Sequence, residues 1–176
     1  GTYSGPLNRG LDFMGKDLVL RSEAGAELTI IDCDGVDRGF YFHSNETSAA
    51  VLDGFTVREG NGTIPGNGGG VLIHYASPTI QNSRFIENVD GGIHCAYSTS
   101  VIHVRDVVLH SNFDSWYGGG VYAYSCTVLL QGVQFSENTA GYSGGGLYAV
   151  NAIVETVGCA FQANAAGVSG GGICAQ

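Results

Sequence analysis

The stretch that decides the fold runs from Phe135 to Tyr148 and reads FSENTAGYSGGGLY. In it an aromatic residue precedes an asparagine by three positions, and a glycine triplet then precedes an aliphatic residue. The glycine mark recurs at 68–71, 91–93, 118–121, 144–147 and 170–173, with its last glycines 22, 28, 26 and 26 residues apart. The other mark recurs with asparagines 24, 26 and 26 residues apart, in the pairs Phe85/Asn88, Leu109/Asn112, Phe135/Asn138 and Phe161/Asn164. Because two separate motifs recur with nearly the same period, the sequence indicates stacked repeats.

Short alternating runs of apolar and polar residues dominate the sequence, and no segment has a sustained apolar period of a helix. Parallel strands need long crossovers, which are normally helices. A chain without helices can instead coil so that each turn pairs with the next. The sequence therefore predicts an all-β, right-handed parallel β-helix (a solenoid) of about six to seven rungs with about three short strands each. We expect less regular rungs over 1–65 and regular repeats over 66–176, in one continuous solenoid that is a segment of a longer chain.

Aligned repeats give columns of residues with predicted directions. Because side chains alternate along a strand, positions two apart share a face. The columns predicted to point inward are Val71/Ile93/Val121/Leu147/Ile173, Ile73/Cys95/Ala123/Ala149/Ala175, Phe85/Leu109/Phe135/Phe161 and Ser83/Val107/Val133/Cys159. The column predicted to point outward is Leu72/His94/Tyr122/Tyr148/Cys174. In the less regular part, residues 39–43 align with residues 70–74.

The asparagine column Asn88, Asn112, Asn138 and Asn164 follows a strand in each repeat. Asparagine tolerates left-handed backbone and hydrogen-bonds neighbouring backbone groups, which suits a corner. Amides stacked one rung apart can also bond one another in a ladder. We predict a structural role for this column, with ligand contact as the alternative.

Residues 66–176 resemble the GGAI/FxxN repeats of chlamydial polymorphic membrane proteins, most closely in the segment 135–148. The resemblance implies a β-helical segment of an autotransporter-type surface adhesin. The N-terminal part is similar to the opening rungs of the pectate-lyase-like β-helix superfamily, whose fold carries lyases, epimerases, adhesins and structural rods. The matching pieces are 1–3, 11–16, 31–35 and 52–57.

The chain carries 7 basic and 16 acidic residues, a net charge of −9, and its basic residues are scattered singly. Nucleic acid and anionic membranes are therefore poor partners. The apolar runs are too short to span a bilayer, so this segment is not expected to insert into a membrane. The expected location is extracellular or at the cell surface, and no cofactor is expected.

Candidate sites for chemistry are few. The superfamily's enzymes act on acidic polysaccharides with a Lys or Arg base beside carboxylates. The repeat region offers only Arg84 and Arg105, so His103, Arg105 and His74 on one outer face form the catalytic candidate, against the alternative of a solvated surface. Asp32, Asp34 and Asp37 surround a glycine and form a weak calcium candidate, against a polar corner.

Other surface features concern contacts and modification. Tyr122 and Tyr148, with His94, form a candidate contact row for glycans or protein, against the alternative that they stabilise the solenoid face. Two sequons, at Asn45 and Asn61, are glycosylation candidates in predicted loops.

The five cysteines lack CxxC spacing, which gives zinc and thioredoxin-like interpretations no support. Three of them fall at inward positions, where thiols act as small hydrophobes. Cys174 falls in the outward column, where it could pair with a cysteine on a following rung.

The sequence favours a non-enzymatic structural or adhesive segment, acting as scaffold, adhesin or filament subunit. Its partners would be other subunits or flanking rungs of the same chain. The alternatives are a polysaccharide-active enzyme of the lyase or epimerase type and a carbohydrate-binding module.

Overall fold

The chain forms a parallel β-helix of about six turns, as the repeat period predicts. The structure is a computed structural model that describes residues 1–62 and 68–176. The sequence also predicts a longer loop around residues 61–66, and 63–66 of that loop lie outside the described residues. Every strand pairing is parallel.

Each complete turn contributes one strand to each of three long sheets. Sheet 1 stacks Leu11–Asp12, Phe40–Phe42, Val71–His74, Ile93–Ala96, Val121–Tyr124, Leu147–Val150 and Ile173–Ala175. Sheet 2 stacks Val19–Arg21, Val51–Asp53, Thr79–Gln81, Val101–Arg105, Thr127–Gln131 and Ile153–Val157. Sheet 3 stacks Thr2–Tyr3, Ile30–Asp32, Thr56–Arg58, Arg84–Ile86, Val108–His110, Gln134–Ser136 and Ala160–Gln162. A short sheet 4, which the sequence did not predict, stacks Phe113–Asp114, Thr139–Ala140 and Ala165–Ala166 between sheets 3 and 1.

The predicted register is confirmed in sheets 1 and 3. Val121 pairs with Ile93 on one side and with Leu147 on the other. Phe135 pairs with Leu109 and Phe161 in the same way. The alignment of residues 39–43 with 70–74 is also confirmed, since Phe40 pairs with Val71. The sequence repeat therefore fixes which residues of successive turns lie side by side.

The core is a column of inward side chains along the solenoid axis. Aliphatic and aromatic residues from sheets 1, 2 and 3 fill it, and Phe40, Phe85, Phe135, Ile80 and Leu130 are almost fully enclosed. Burial of such apolar area is the main favourable term in folding, at about 25 cal/mol per Å². The predicted inward columns are confirmed in the middle turns.

From Val51 to Gln162, each strand of sheets 1, 2 and 3 is followed at once by a residue in the left-handed region. After sheet 1 these are Tyr75, Tyr97, Ser125 and Asn151; after sheet 2 Gly54, Asn82, Asp106, Gly132 and Gly158; after sheet 3 Glu59, Glu87, Ser111, Glu137 and Ala163. The prediction that the asparagine column takes this geometry was wrong: φ is +57° at Glu137, the residue before Asn138. The corner residue turns the chain, and this leaves the asparagine free to point inward.

The glycine triplets meet two different requirements. The first glycine is left-handed, with φ of +70° at Gly144. The third packs against the next turn, and a Cβ on Gly120 would lie 2.4 Å from the carbonyl oxygen of Gly146. Glycine is therefore needed once for backbone conformation and once for close approach between turns.

Candidate functional site

The asparagine column forms a buried ladder between sheets 3 and 4. Asn112 Nδ2 donates to Asn138 Oδ1 at 2.9 Å and to the carbonyl oxygen of Phe85 at 2.9 Å. Asn112 Oδ1 accepts from both the backbone nitrogen and Nδ2 of Asn88. Asn138 repeats the pattern with Asn164. These amides satisfy one another and the backbone, which leaves Asn112 and Asn138 without a group aimed at solvent.

The outward column of sheet 1 is covered by its own neighbours. Tyr148 stacks on Tyr122 with ring centroids 5.7 Å apart and on Tyr117 at 4.5 Å. His94 packs on Tyr122 at 4.5 Å. Tyr148 is only 5% exposed, and Leu72 at the same position three turns earlier is 6% exposed.

The prediction of a surface contact row at Tyr122, Tyr148 and His94 is therefore corrected at Tyr148, which is buried. Tyr122 and His94 are half-buried. Burial raises the pKa of Tyr122 to about 12 and lowers the pKa of His94 to about 3. Both rings are therefore neutral at physiological pH and belong to a stacked aromatic row that covers sheet 1.

Two exposed tyrosines, Tyr75 and Tyr97, lie instead at the corner between sheets 1 and 2. We call this the aromatic corner; it comprises His74, Tyr75, Tyr97 and Tyr124. Tyr75 and Tyr97 are 52% and 40% exposed. Their rings stack with centroids 5.3 Å apart, and Tyr97 meets Tyr124 edge-on at 5.1 Å. The sequence alone could not show that these corner residues remain open to solvent.

Two shallow clefts lined with neutral polar groups adjoin the aromatic corner. One, of about 80 Å³, is lined by Asn45, Glu46, Thr47, Tyr75, Ala76, Ser77, Thr99 and Ser100. The other, of about 230 Å³, is lined by Ser98, Ser125, Cys126, Thr127, Asn151 and Ile153. The single charged group among these, Glu46, is 1% exposed and accepts backbone N–H groups of Gly15 and Ser44 at 2.8 Å. Hydroxyl and amide groups beside exposed rings can contact an uncharged polar ligand.

A larger cavity of about 430 Å³ lies at the first turns. Its apolar lining comes from inward residues such as Leu20, Ile31, Phe40 and Phe55. It is therefore part of the solenoid interior, whereas a substrate cleft would lie on the side of the helix.

The predicted catalytic face is not assembled as expected. Arg105 Nη2 lies 3.1 Å from His103 Nδ1 on sheet 2, and Arg105 also donates to Gln131. His74 lies on sheet 1, where it packs against Tyr75. The prediction that His74 shares a face with His103 and Arg105 was wrong, because a left-handed corner separates the two sheets.

A different polar group was missed by sequence reasoning. His43 Nε2 lies 3.0 Å from Asp12 Oδ2, and Ser44 Oγ lies 3.4 Å from His43 Nδ1. Acyl transfer from such a serine needs N–H donors aimed at a developing oxyanion. The Ser44 N–H is already bonded to Glu46 Oε2. This N–H is therefore not free to stabilise an oxyanion.

The calcium candidate is also not assembled. Asp32 accepts two hydrogen bonds from Arg58, at 2.6 and 2.9 Å, whereas Asp34 pairs with Arg9 at 2.8 Å. Burial raises the pKa of Asp32, but the hydrogen bonds from Arg58 and from the Asp34 backbone outweigh it and lower that pKa. Asp37 lies beside Arg38. Over residues 1–62 and 68–176, no three His, Cys, Asp or Glu side chains lie close enough together to hold a metal ion.

The two glycosylation candidates differ in their surroundings. Asn45 is exposed in the segment between Phe42 and Val51, and Thr47 of its sequon donates to Asp17. Asn61 is half-buried, and its Nδ2 donates to the carbonyl oxygen of Gly35. Thr63 of the second sequon lies outside the described residues.

Comparison with known protein families finds a match within the repeat region. Residues 132–150 match the Chlamydia polymorphic membrane protein (Chlamydia_PMP) repeat. The matched segment contains the sheet 3 strand at 134–136, Asn138 of the ladder, the glycine triplet and the sheet 1 strand at 147–150. No curated protein and no solved structure matches the chain.

The Chlamydia_PMP repeat is thus similar to one turn of this solenoid, the turn that the sequence singled out. The resemblance of the first rungs to pectate-lyase-like proteins stays a prediction. None of the residues that the structure describes forms a helix of the length and apolarity needed to cross a membrane.

Proposed function

We propose that this chain is a non-enzymatic, β-helical segment of a protein displayed at the cell surface. The observation that carries the proposal is the match of residues 132–150 to a membrane-protein repeat, within a solenoid whose turns stack in parallel along the same three sheets. Stacked turns make a stiff rod, because each turn bonds to its neighbours along every sheet. Such a rod holds binding surfaces away from the cell, as an adhesin or a filament subunit would.

The partners in this proposal are further rungs of the same chain or other protein subunits. Neighbouring turns of this solenoid pair through their strands, as Val121–Tyr124 pairs with Leu147–Val150. An edge strand carries unpaired backbone groups that can pair with another strand.

Surface labelling of the native protein on intact cells of its source tests the proposal. A membrane-impermeant biotin reagent should label the protein before lysis, and a cytoplasmic protein from the same cells should stay unlabelled as the control. Labelling that appears only after lysis would contradict display at the surface.

The aromatic corner favours a second, compatible function, the binding of uncharged glycans. Exposed tyrosine rings offer stacking faces for sugars, and the adjoining clefts offer hydroxyl and amide groups. The net charge of −9 disfavours the acidic polysaccharides on which pectate-lyase-type enzymes act. Binding without turnover would therefore distinguish this function from the enzyme alternative.

Immobilised neutral hexasaccharides of glucose, mannose, galactose and N-acetylglucosamine provide the probe. Tyr97→Ala and Tyr75→Ala should each reduce binding about tenfold, the loss of one stacking contact. Trp116→Ala is the matched control, because Trp116 is 58% exposed but lies at the corner that precedes a sheet 1 strand, whereas the aromatic corner follows the sheet 1 strands. Equal binding by all three variants would rule out the aromatic corner as the glycan site.

A further inference from the structure

Two buried cysteines on consecutive turns touch each other. Cys95 Sγ and Cys126 Sγ lie 3.6 Å apart, and both residues are buried. Cys95 is an inward residue of sheet 1 and pairs with Ala123 of the next turn. Cys126 lies three residues after Ala123. Ser125, which lies between them, has left-handed backbone, and this turn directs the Cys126 side chain back to the interior.

We propose that Cys95 and Cys126 form a disulfide that joins one turn of the solenoid to the next. A disulfide has an S–S length of about 2.05 Å, so each sulfur need move only about 0.8 Å from its present position. The sulfurs already face each other, and a small rotation of each side chain closes the gap.

The pair has a route to solvent through Cys126. This residue lines the cleft of about 230 Å³ beside the aromatic corner, together with Ser125 and Thr127. The Cys95 thiol can hydrogen-bond the Cys126 sulfur, which lowers the pKa of Cys126, whereas the pKa of Cys95 is raised. Cys126 is therefore the cysteine that attacks first, since the thiolate is the nucleophile.

The step is a thiol–disulfide exchange with a small disulfide oxidant such as oxidised glutathione. The Cys126 thiolate attacks one sulfur of the oxidant, forms a mixed disulfide and releases one thiolate. The Cys95 sulfur then attacks Cys126 Sγ and releases the second. The two cysteines lose two electrons and two protons in total, and the oxidant leaves as two thiols.

The other cysteines have no such neighbour among the described residues. Cys174 Sγ approaches Ser169 Oγ at 3.7 Å, and Cys159 Sγ contacts the carbonyl oxygen of Leu130 at 3.4 Å. Cys33 is buried at the first turns, and burial raises its pKa to about 12. These residues serve as internal controls for nonspecific oxidation.

The experiment treats the purified, reduced chain with oxidised glutathione, alkylates the remaining thiols and maps peptides without reduction. Trypsin cuts after Arg84 and Arg105, which places Cys95 in the peptide 85–105. A glutamate-specific protease cuts after Glu137 and so separates Cys126 from Cys159 and Cys174. The expected product links a Cys95 peptide to a Cys126 peptide, with an intact mass about 2 Da lower.

Three variants keep the inference testable. Cys95→Ala and Cys126→Ala should each abolish the link, and Cys159→Ala should preserve it. Circular dichroism checks that the variants retain β structure, and the oxidised parent should lose thermal stability on reduction while Cys126→Ala should not. Alkylation of both Cys95 and Cys126 after oxidation, or a link from Cys95 to another cysteine, would overturn the proposal.

This inference rests on the proposed surface location in one respect only: outside the cytosol the protein encounters an oxidant, and disulfides persist there. Native protein alkylated during harvest should carry the same link. If the purified chain forms the link but the native protein does not, the cross-link stands and the proposed surface display fails.

Discussion

Asn112 donates its side-chain amide to Asn138 Oδ1 at 2.9 Å, from one turn of the solenoid to the next. The same amide also bonds the carbonyl oxygen of Phe85, and its oxygen takes two N–H groups of Asn88. One side chain therefore satisfies polar groups on the turns before and after its own. This explains why the sequence repeats asparagine at this position, since a serine could donate only one hydrogen bond and an ionised aspartate none, whereas the amide donates two and also accepts.

Replacing Asn112 by alanine should lower the free energy of unfolding by about 3 kcal/mol, because buried partners on both sides lose their hydrogen bonds. Asn164→Ala is the matched comparison. Asn164 accepts from Asn138 and donates to the Phe135 carbonyl, but it is only half-buried. Urea denaturation followed by circular dichroism measures both variants, and equal losses would contradict a ladder whose strength comes from burial.

The left-handed corner at Glu137 predicts opposite effects of two substitutions. Glu137 is exposed with φ of +57°, so Glu137→Gly should leave stability unchanged or raise it by less than about 1 kcal/mol. Glu137→Val should lower stability by about 1 to 2 kcal/mol, because a β-branched residue resists this conformation. Gln134→Val is the control, since Gln134 is exposed in a strand, where valine is favoured. Denaturation midpoints of the three variants and the parent measure these effects. A lower midpoint for Glu137→Gly would contradict the argument that residue 137 is strained by its left-handed backbone.

Two glycine-to-alanine variants separate close approach from backbone conformation. A Cβ on Gly119 would lie 2.4 Å from the carbonyl oxygen of Thr139, so Gly119→Ala should cost more than about 3 kcal/mol. Gly158 has φ of +63° but nothing within 4 Å of a Cβ, so Gly158→Ala should cost only about 1 kcal/mol. Thermal unfolding of the two variants gives the comparison. If the Gly119→Ala and Gly158→Ala proteins were equally stable, neighbouring turns would be able to move apart to accommodate a Cβ, which would contradict the close-approach argument.

His94 makes stability depend on pH. Burial lowers its pKa to about 3, with His74 and Arg38 adding to the shift, whereas an unfolded histidine titrates near 6.5. Between these values the unfolded chain binds a proton that folded His94 does not, so stability is full above pH 6.5 and falls with decreasing pH. The loss is about 1.4 kcal/mol per pH unit, or about 3 kcal/mol at pH 4.5.

The measurement compares the parent with His94→Gln at pH 7 and pH 4.5. The carboxylates are common to both proteins, so their contribution cancels in the difference between the two pH dependences. The variant should lose less stability on acidification than the parent. Identical losses would show that His94 is protonated in the folded state.

Much of the fold was predictable because a solenoid repeats one local rule. The spacing of Asn112, Asn138 and Asn164 gives the period, and alternation around Val121 and Phe135 gives the inward face. The predicted aromatic site was less accurate, since Tyr148 was expected at the surface and is covered by Tyr117. The alternation of apolar and polar residues along a strand predicts which side chains point away from the core. It does not predict whether another residue then covers such a side chain.

The sequence by itself determined the parallel β-helix, its register and its core, because these depend only on period and alternation within strands. The tertiary structure alone decided what happens at the corners. It placed the left-handed residue at Glu137 beside the asparagine, moved His74 away from His103, opened Tyr97 to solvent and brought Cys126 onto Cys95. The physical reason is that each corner rotates the chain by an amount set by a few backbone dihedrals, and strand periodicity carries no information about that rotation.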